Sequence, residues 1–155
     1  MRSWRSGSRS SPVAEPRRIE ATHVVAAAPE AVFSFLAKLE NHWRLAGRWV
    51  EVVSIDDGSG RVRIHGPLGL RRTARTTVVD ASPSHVMHGT AELSGGTLAR
   101  VAWELNEDAG GTFVRLSAEV ERASLPDRLL LALGGHAWMR RHFGAILARL
   151  DDQFS

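Results

Sequence analysis

Imidazole is the side chain best suited to proton transfer near neutral pH, with an unperturbed pKa of about 6.5, and this chain carries seven of them. His23 shares a period-two face with Ile19, Ala21 and Val25, so it is expected to point inward. His88 falls on a central strand whose facing the sequence leaves open. These two are the candidate catalytic groups. His136 sits on an apolar row of the C-terminal helix and is a candidate ligand contact. His136 and His142 are six apart, on different helix faces, and make a poor metal pair. With no Cys in the chain, a thiolate nucleophile, a disulfide framework and a Cys-ligated metal are excluded. Neither a nucleophile-elbow serine, a zincin His pair, a phosphate loop nor a dinucleotide fingerprint is present. The expectation is therefore no metal and no cofactor.

The remaining candidates are contacts rather than reagents. Trp43 and Trp49 flank the point where two short helices meet a sheet. Trp103 alternates with Val101 and Leu105, as a core residue would. Met139 and Phe143 lie on the inner side of the last helix. Arg75 is mid-strand, where a guanidinium could grip a carboxylate two-handed, but its strand reads in either register. Arg63 and Arg115 oppose the apolar faces of their strands and belong on a solvated outer surface. With Trp43, Trp49, Arg75, His88, Trp103, His136, Met139 and Phe143, the candidate ligand set is mostly apolar.

The elements that position these residues follow from periodicity. A strand over 19–26 is ended by Ala28-Pro29-Glu30, which suits a helix start, with Pro in the first turn and an acid at its positive end. Val32, Phe33, Leu36 and Leu39 continue at helical spacing. A second short helix over 41–46 is closed by Gly47. Six period-two segments follow, near 49–56, 61–66, 70–80, 85–93, 98–106 and 113–122. Turns at Asp57-Gly58-Ser59-Gly60, Gly66-Pro67-Leu68-Gly69, Ser82-Pro83-Ser84, Ser94-Gly95-Gly96 and Asp108-Ala109-Gly110-Gly111 separate them. Such short turns make neighbours antiparallel. Pro126 opens a last helix in which Leu129, Leu133, His136, Arg140, Phe143, Leu147 and Leu150 form one row, with a kink expected at Gly134-Gly135. The fold class is α+β: a curved seven-stranded antiparallel sheet gripping one long C-terminal helix, with two short helices after strand 1.

Composition narrows the function classes. The chain has 155 residues and a formal net charge of +3. The excess lies in a tail, residues 1–17, rich in Arg and Ser and read as disordered. Residues 19–155 carry 15 basic and 16 acidic side chains. A nucleic-acid partner would require a basic face on the fold itself. The segment 18–155 reads as a single domain. No apolar run is long enough for a membrane span, and no signal-like stretch follows the N-terminal arginines, so a cytoplasmic location is expected. Arg in place of Lys, with abundant Ala, suggests a GC-rich bacterial genome.

The element order, the Ala28-Pro29-Glu30-Ala31-Val32-Phe33 helix start, the Gly110-Gly111-Thr112-Phe113-Val114 entry to the last strand and the Leu-rich terminal helix resemble the START-related SRPBCC superfamily. That group includes birch-pollen-allergen-like and polyketide cyclase/dehydrase types. The resemblance covers about 18–154 and rests on structural motifs. It implies a helix-grip fold with an internal cavity for a small hydrophobic partner such as a lipid, polyketide or quinone-like molecule. Three functions remain open: a carrier or binding protein, a polyketide cyclase/dehydratase-like enzyme working without metal, and a module that regulates a partner protein. Oligomeric state is not read from the sequence.

Overall fold

The computed structural model describes residues 18–56, 59–66, 71–82 and 86–155, with side chains other than those of 78–82. The tail 1–17, the hairpin tip at Asp57-Gly58, most of the Gly66–Gly69 break and the turn at Pro83-Ser84 lie outside these residues. Within them the chain runs β1 (Arg18–Val25), α1 (Pro29–Leu36), α2 (Leu39–Ala46), β2 (Val50–Asp56), β3 (Ser59–His65), β4 (Arg71–Ser82), β5 (Val86–Leu93), β6 (Leu98–Asp108), β7 (Gly111–Arg122), α3 (Leu125–Leu130) and α4 (His136–Asp152). All strand pairs are antiparallel, in the spatial order β1-β7-β6-β5-β4-β3-β2. The expected fold is thus the observed one. Helices α1 and α2 carry the chain from one edge of the sheet to the other.

Alternation along the strands builds the inner face. Val101, Trp103 and Leu105 of β6 pair across the register with Ala118, Leu116 and Val114 of β7. Trp103, Leu105, Leu116 and Val114 are buried. From α4, Phe143, Ile146, Leu147 and Leu150 reach the same core, joined by Ile19, Val25, Val32, Leu36 and Leu45. Helix α4 lies against β1 and touches α2 and β7. It therefore covers the β1–β7 side of the sheet's inner face, while α2 lies over β3, where Trp43 and Leu39 approach Gly60.

Two expected patterns are corrected. The apolar row of the last helix is not continuous. Leu133 (φ −91°, ψ 21°) and Gly134 (φ 110°, ψ 2°) leave helical geometry, which rotates the residues before the break out of phase with those after it. Leu129 and Leu133 are consequently 61% and 75% exposed, and Arg140 is exposed as well. The kink falls at Gly134, as its backbone freedom predicts. On β2 the expected alternation also fails. Val52, Val53 and Ile55 are all exposed, because β2 is an edge strand and a bulge between Val52 and Ser54 shifts its register.

Candidate functional site

Between the inner face of β3 to β6 and the helices lies a cavity of about 320 Å³. Small side chains create it. One cross-strand row runs Val120, Ala99, Ala91, Thr76 and Gly60, and the next runs Ile19, Ala118, Val101 and Gly89. Apart from Gly60, all of these line the cavity. Where a large residue would fill the gap between sheet and helix, Ala, Gly and Thr leave it open. Trp103, Met87 and Leu116 close one end, while Trp138, Met139, Phe143 and Ile146 of α4 form the opposing wall.

Helix α2 supplies a second wall. Leu39, His42, Trp43 and Ala46 fall at three- and four-residue steps, and all four border the cavity. His42 Nε2 donates to Leu36 O at 2.6 Å, and Asn41 Nδ2 donates to Phe35 O at 2.7 Å. These bonds satisfy the last carbonyls of α1 and fix the corner between the helices. The His42 ring sits 5.5 Å from that of Trp103. Burial lowers its pKa below the ordinary histidine value, against a smaller opposing effect of the Leu36 hydrogen bond. With Nε2–H committed to a carbonyl, the neutral ring leaves Nδ1 as a proton acceptor.

A polar latch closes the α3 end. Asp127, nine-tenths buried, accepts hydrogen bonds from Arg72 Nη2 and Thr97 Oγ1. Thr97 Oγ1 in turn accepts from Ser124 N at 3.1 Å, and Arg72 Nη1 donates to Ser94 O at 3.2 Å. The first turn of α3 is thereby tied to β4 and to the β5–β6 turn. Arg72, Thr97 and Asp127 all border the cavity, as do Leu130, Leu131 and Gly135. The segment 125–135 is a cover for the cavity with one charged fastening.

Among the residues singled out from the sequence, Trp43, Trp49, Trp103, Met139 and Phe143 line this cavity together. His88 borders it from β5, but its register opposite Ala102 puts its side chain on the outward row. Arg75 is exposed and pairs in register with Glu92; the inward positions of its strand are Arg72, Ala74 and Thr76. His136 is half-buried and is not among the lining residues. His23 faces α4 but at its far end, where Nε2 meets Asp151 Oδ2 at 3.2 Å; it does not border the cavity. Arg63 and Arg115 pair with Glu51 and Glu104 on the outer face. Sequence reasoning passed over His42, Arg72, Thr97 and Asp127. The spacing of Leu39, His42, Trp43 and Ala46 was a usable signal for His42. Nothing local marked Thr97, whose partners lie 27 and 30 positions away.

The architecture has a counterpart among known proteins. The family model described as polyketide cyclase / dehydrase and lipid transport matches residues 16–154. The chain belongs to that family. Within the wider SRPBCC-type fold, solved structures agree with it in shape more than in sequence. The Mycobacterium smegmatis protein Ms6760 superposes with a TM-score of 0.69 at 14% identity, covering 90% of this chain and 91% of that one. A Rhodobacter sphaeroides protein gives 0.61 at 23%, covering 89% and 91%. DynU16, a protein of the dynemicin biosynthetic locus, gives 0.59 at 13%, covering 89% of this chain and 47% of its own. No curated relative matches by sequence. At these identities the neighbours support the helix-grip fold of this polyketide cyclase/dehydrase and lipid transport family member and leave its ligand to be argued from the cavity.

Proposed function

We propose that this protein binds a small, largely apolar molecule in the cavity between β3–β6 and the helices, as a carrier or binding protein. The observation that carries this reading is the cavity itself. About 320 Å³ of space, walled by four tryptophans, two methionines and a floor of Ala, Gly and Thr, falls in the size range of small-molecule sites. Membership of a polyketide cyclase / dehydrase and lipid transport family supports the same class of ligand. Ala91 tests it, because it lies in mid-floor and is half-buried. Wild-type protein is expected to bind the neutral fluorophore N-phenyl-1-naphthylamine, and Ala91→Phe to lose that binding while keeping its circular dichroism spectrum. Undiminished binding by a folded Ala91→Phe would place the probe elsewhere and sink the reading. Native mass spectrometry of gently purified protein is the companion measurement, with a solvent-extractable excess mass as its expected result.

His42 favours a second reading. It is a cavity-lining imidazole held neutral by burial with Nδ1 available as a proton acceptor, which is what a general base for ring closure or dehydration of a bound polyketide requires. In that case His42→Gln abolishes turnover of a bound reactive chain while leaving fluorophore binding intact. Equal turnover by the variant would return the site to binding alone.

A further inference from the structure

Next to the cavity, on the other side of Trp49, is a surface cleft lined by Gly47, Arg48, Trp49, Arg141, His142, Ala145 and Arg149. Residues 141, 145 and 149 follow at four-residue steps and so occupy one face of α4. Arg48 comes from the single turn between α2 and β2. Arg149 is fixed in place: Nη1 donates to Leu45 O at 2.8 Å and to Ala46 O at 2.9 Å, the last carbonyls of α2. Gly47 permits this approach, since a Cβ there would lie 2.6 Å from Arg149 Nη1. Helix-end chemistry thus accounts for Arg149. It does not account for Arg48 or Arg141.

The cleft gathers three arginines without a counter-charge among the described residues. Arg18, Arg63, Arg72, Arg100 and Arg115 each pair with a carboxylate, while the other arginines without such a pair do not line the cleft. Among the described residues, Arg48, Arg141 and Arg149 are in no ion pair, and no acidic side chain lines their cleft. Residues 19–155 carry slightly more acids than bases, so this concentration of three guanidiniums is local. Guanidiniums grouped around one cleft favour a planar, multi-oxygen anion.

The wall between cleft and cavity is aromatic. Trp49 meets His142 at 5.0 Å and Trp138 at 5.5 Å, both edge to face, and His142 lies 4.0 Å from Trp138. Trp49 and Trp138 line the cavity, and Trp49 and His142 line the cleft. Trp49 Nε1 is buried without a hydrogen-bond partner among the described residues, whereas a buried indole N–H usually has one. The cationic cleft and the apolar cavity therefore adjoin one another through Trp49.

We propose that the Arg48–Arg141–Arg149 cleft is a head-group site, taking the phosphate or carboxylate end of an amphiphile whose apolar body occupies the cavity beyond Trp49. This rests on the apolar-ligand reading above and narrows it from any hydrophobic molecule to an anionic one.

Titration calorimetry with three probes separates the possibilities: dodecyl phosphate below its micelle concentration, dodecanol, and inorganic phosphate. Wild-type protein is expected to bind dodecyl phosphate about tenfold more tightly than dodecanol, an advantage that shrinks with added salt. The double variant Arg48→Ala/Arg141→Ala removes two exposed side chains and leaves Arg149 to hold α2. It is expected to erase the advantage while binding dodecanol as before. Equal affinity for the two dodecyl probes, or an advantage that survives in the variant, overturns the head-group site alone. Inorganic phosphate binding as tightly as dodecyl phosphate overturns it in favour of a free-anion site. Failure of both dodecyl probes to bind removes the apolar-ligand reading and this proposal with it.

Discussion

Replacing Asp127 by Ala removes the fastening of the cavity cover, and the structure says how much that should cost and where. The Asp127 carboxylate takes one charge-assisted hydrogen bond from Arg72 and one from the Thr97 hydroxyl. Typical values of about 1.5–3 kcal/mol for the first and about 1 kcal/mol for the second give a loss of about 3 kcal/mol. The stranded-charge penalty stays modest, because Arg72 keeps its bond to Ser94 O and is 25% exposed. Little else holds α3, since Leu125 and Leu129 face solvent. The loss should therefore be local. Hydrogen exchange followed by mass spectrometry on peptides covering 125–135 is the assay. Opening of α3 should become about 100-fold more favourable, or reach the unprotected limit, while α4 and β7 keep their protection. Asp152→Ala, an exposed carboxylate at the end of α4, is the control. Unchanged protection in α3 would show that the latch does not hold it. An equal loss across α4 and β7 would show that α3 is not a separate unit, and either result refutes the argument.

Three further outcomes follow from the same contacts. His42 has a lowered pKa, so the unfolded chain takes up its proton first on acidification; its contribution is complete above the ordinary histidine value and is lost as pH falls, and the drop in melting temperature between about pH 7 and 5 should be smaller in His42→Gln than in wild type. Asp151 has a pKa lowered by the Ala26 N–H and by His23, so its contribution is present above the ordinary aspartate value and lost below it; the melting-temperature gap between wild type and Asp151→Asn should close below about pH 4. Gly47 sits at φ 76° against Arg149, and Gly47→Ala should destabilise the fold by about 1–2 kcal/mol, a fall of several degrees in melting temperature by differential scanning fluorimetry.

The architecture was legible in the sequence because it depends on patterns that recur within a few residues. Alternation in Val101, Trp103 and Leu105 fixes which face of β6 is inner, and Pro29 with Glu30 marks where α1 begins. Candidates read from those patterns, such as Trp43 and Phe143, reached the cavity. Legibility fell where facing depended on breaks in phase. Leu129 and Leu133 fall on the core row only if the helix keeps its phase through the kink at Gly134, and two non-helical residues turn them outward. Arg75 is a candidate as a mid-strand guanidinium able to grip a carboxylate, but its strand reads in two registers, and pairing with β3 and β5 selects the one that puts Arg72 inside. The latch could not be read at all, since Arg72, Thr97 and Asp127 meet only when β4, the β5–β6 turn and α3 are assembled.

The cavity floor has a consequence for how this protein can change. Its size is set by Ala91, Ala99, Ala118 and Thr76 on sheet positions whose backbone pairing does not depend on what the side chain is. At Ala91 and Thr76, half-buried where they border the cavity, an added methyl or two extends into the binding space, so the usual penalty for enlarging a core residue is small there. Ligand size is thereby uncoupled from fold stability. Single substitutions along one cross-strand row can reshape the binding space while the remainder of the molecule stays as it is, which gives a lineage built on this frame a short mutational route from one guest molecule to another.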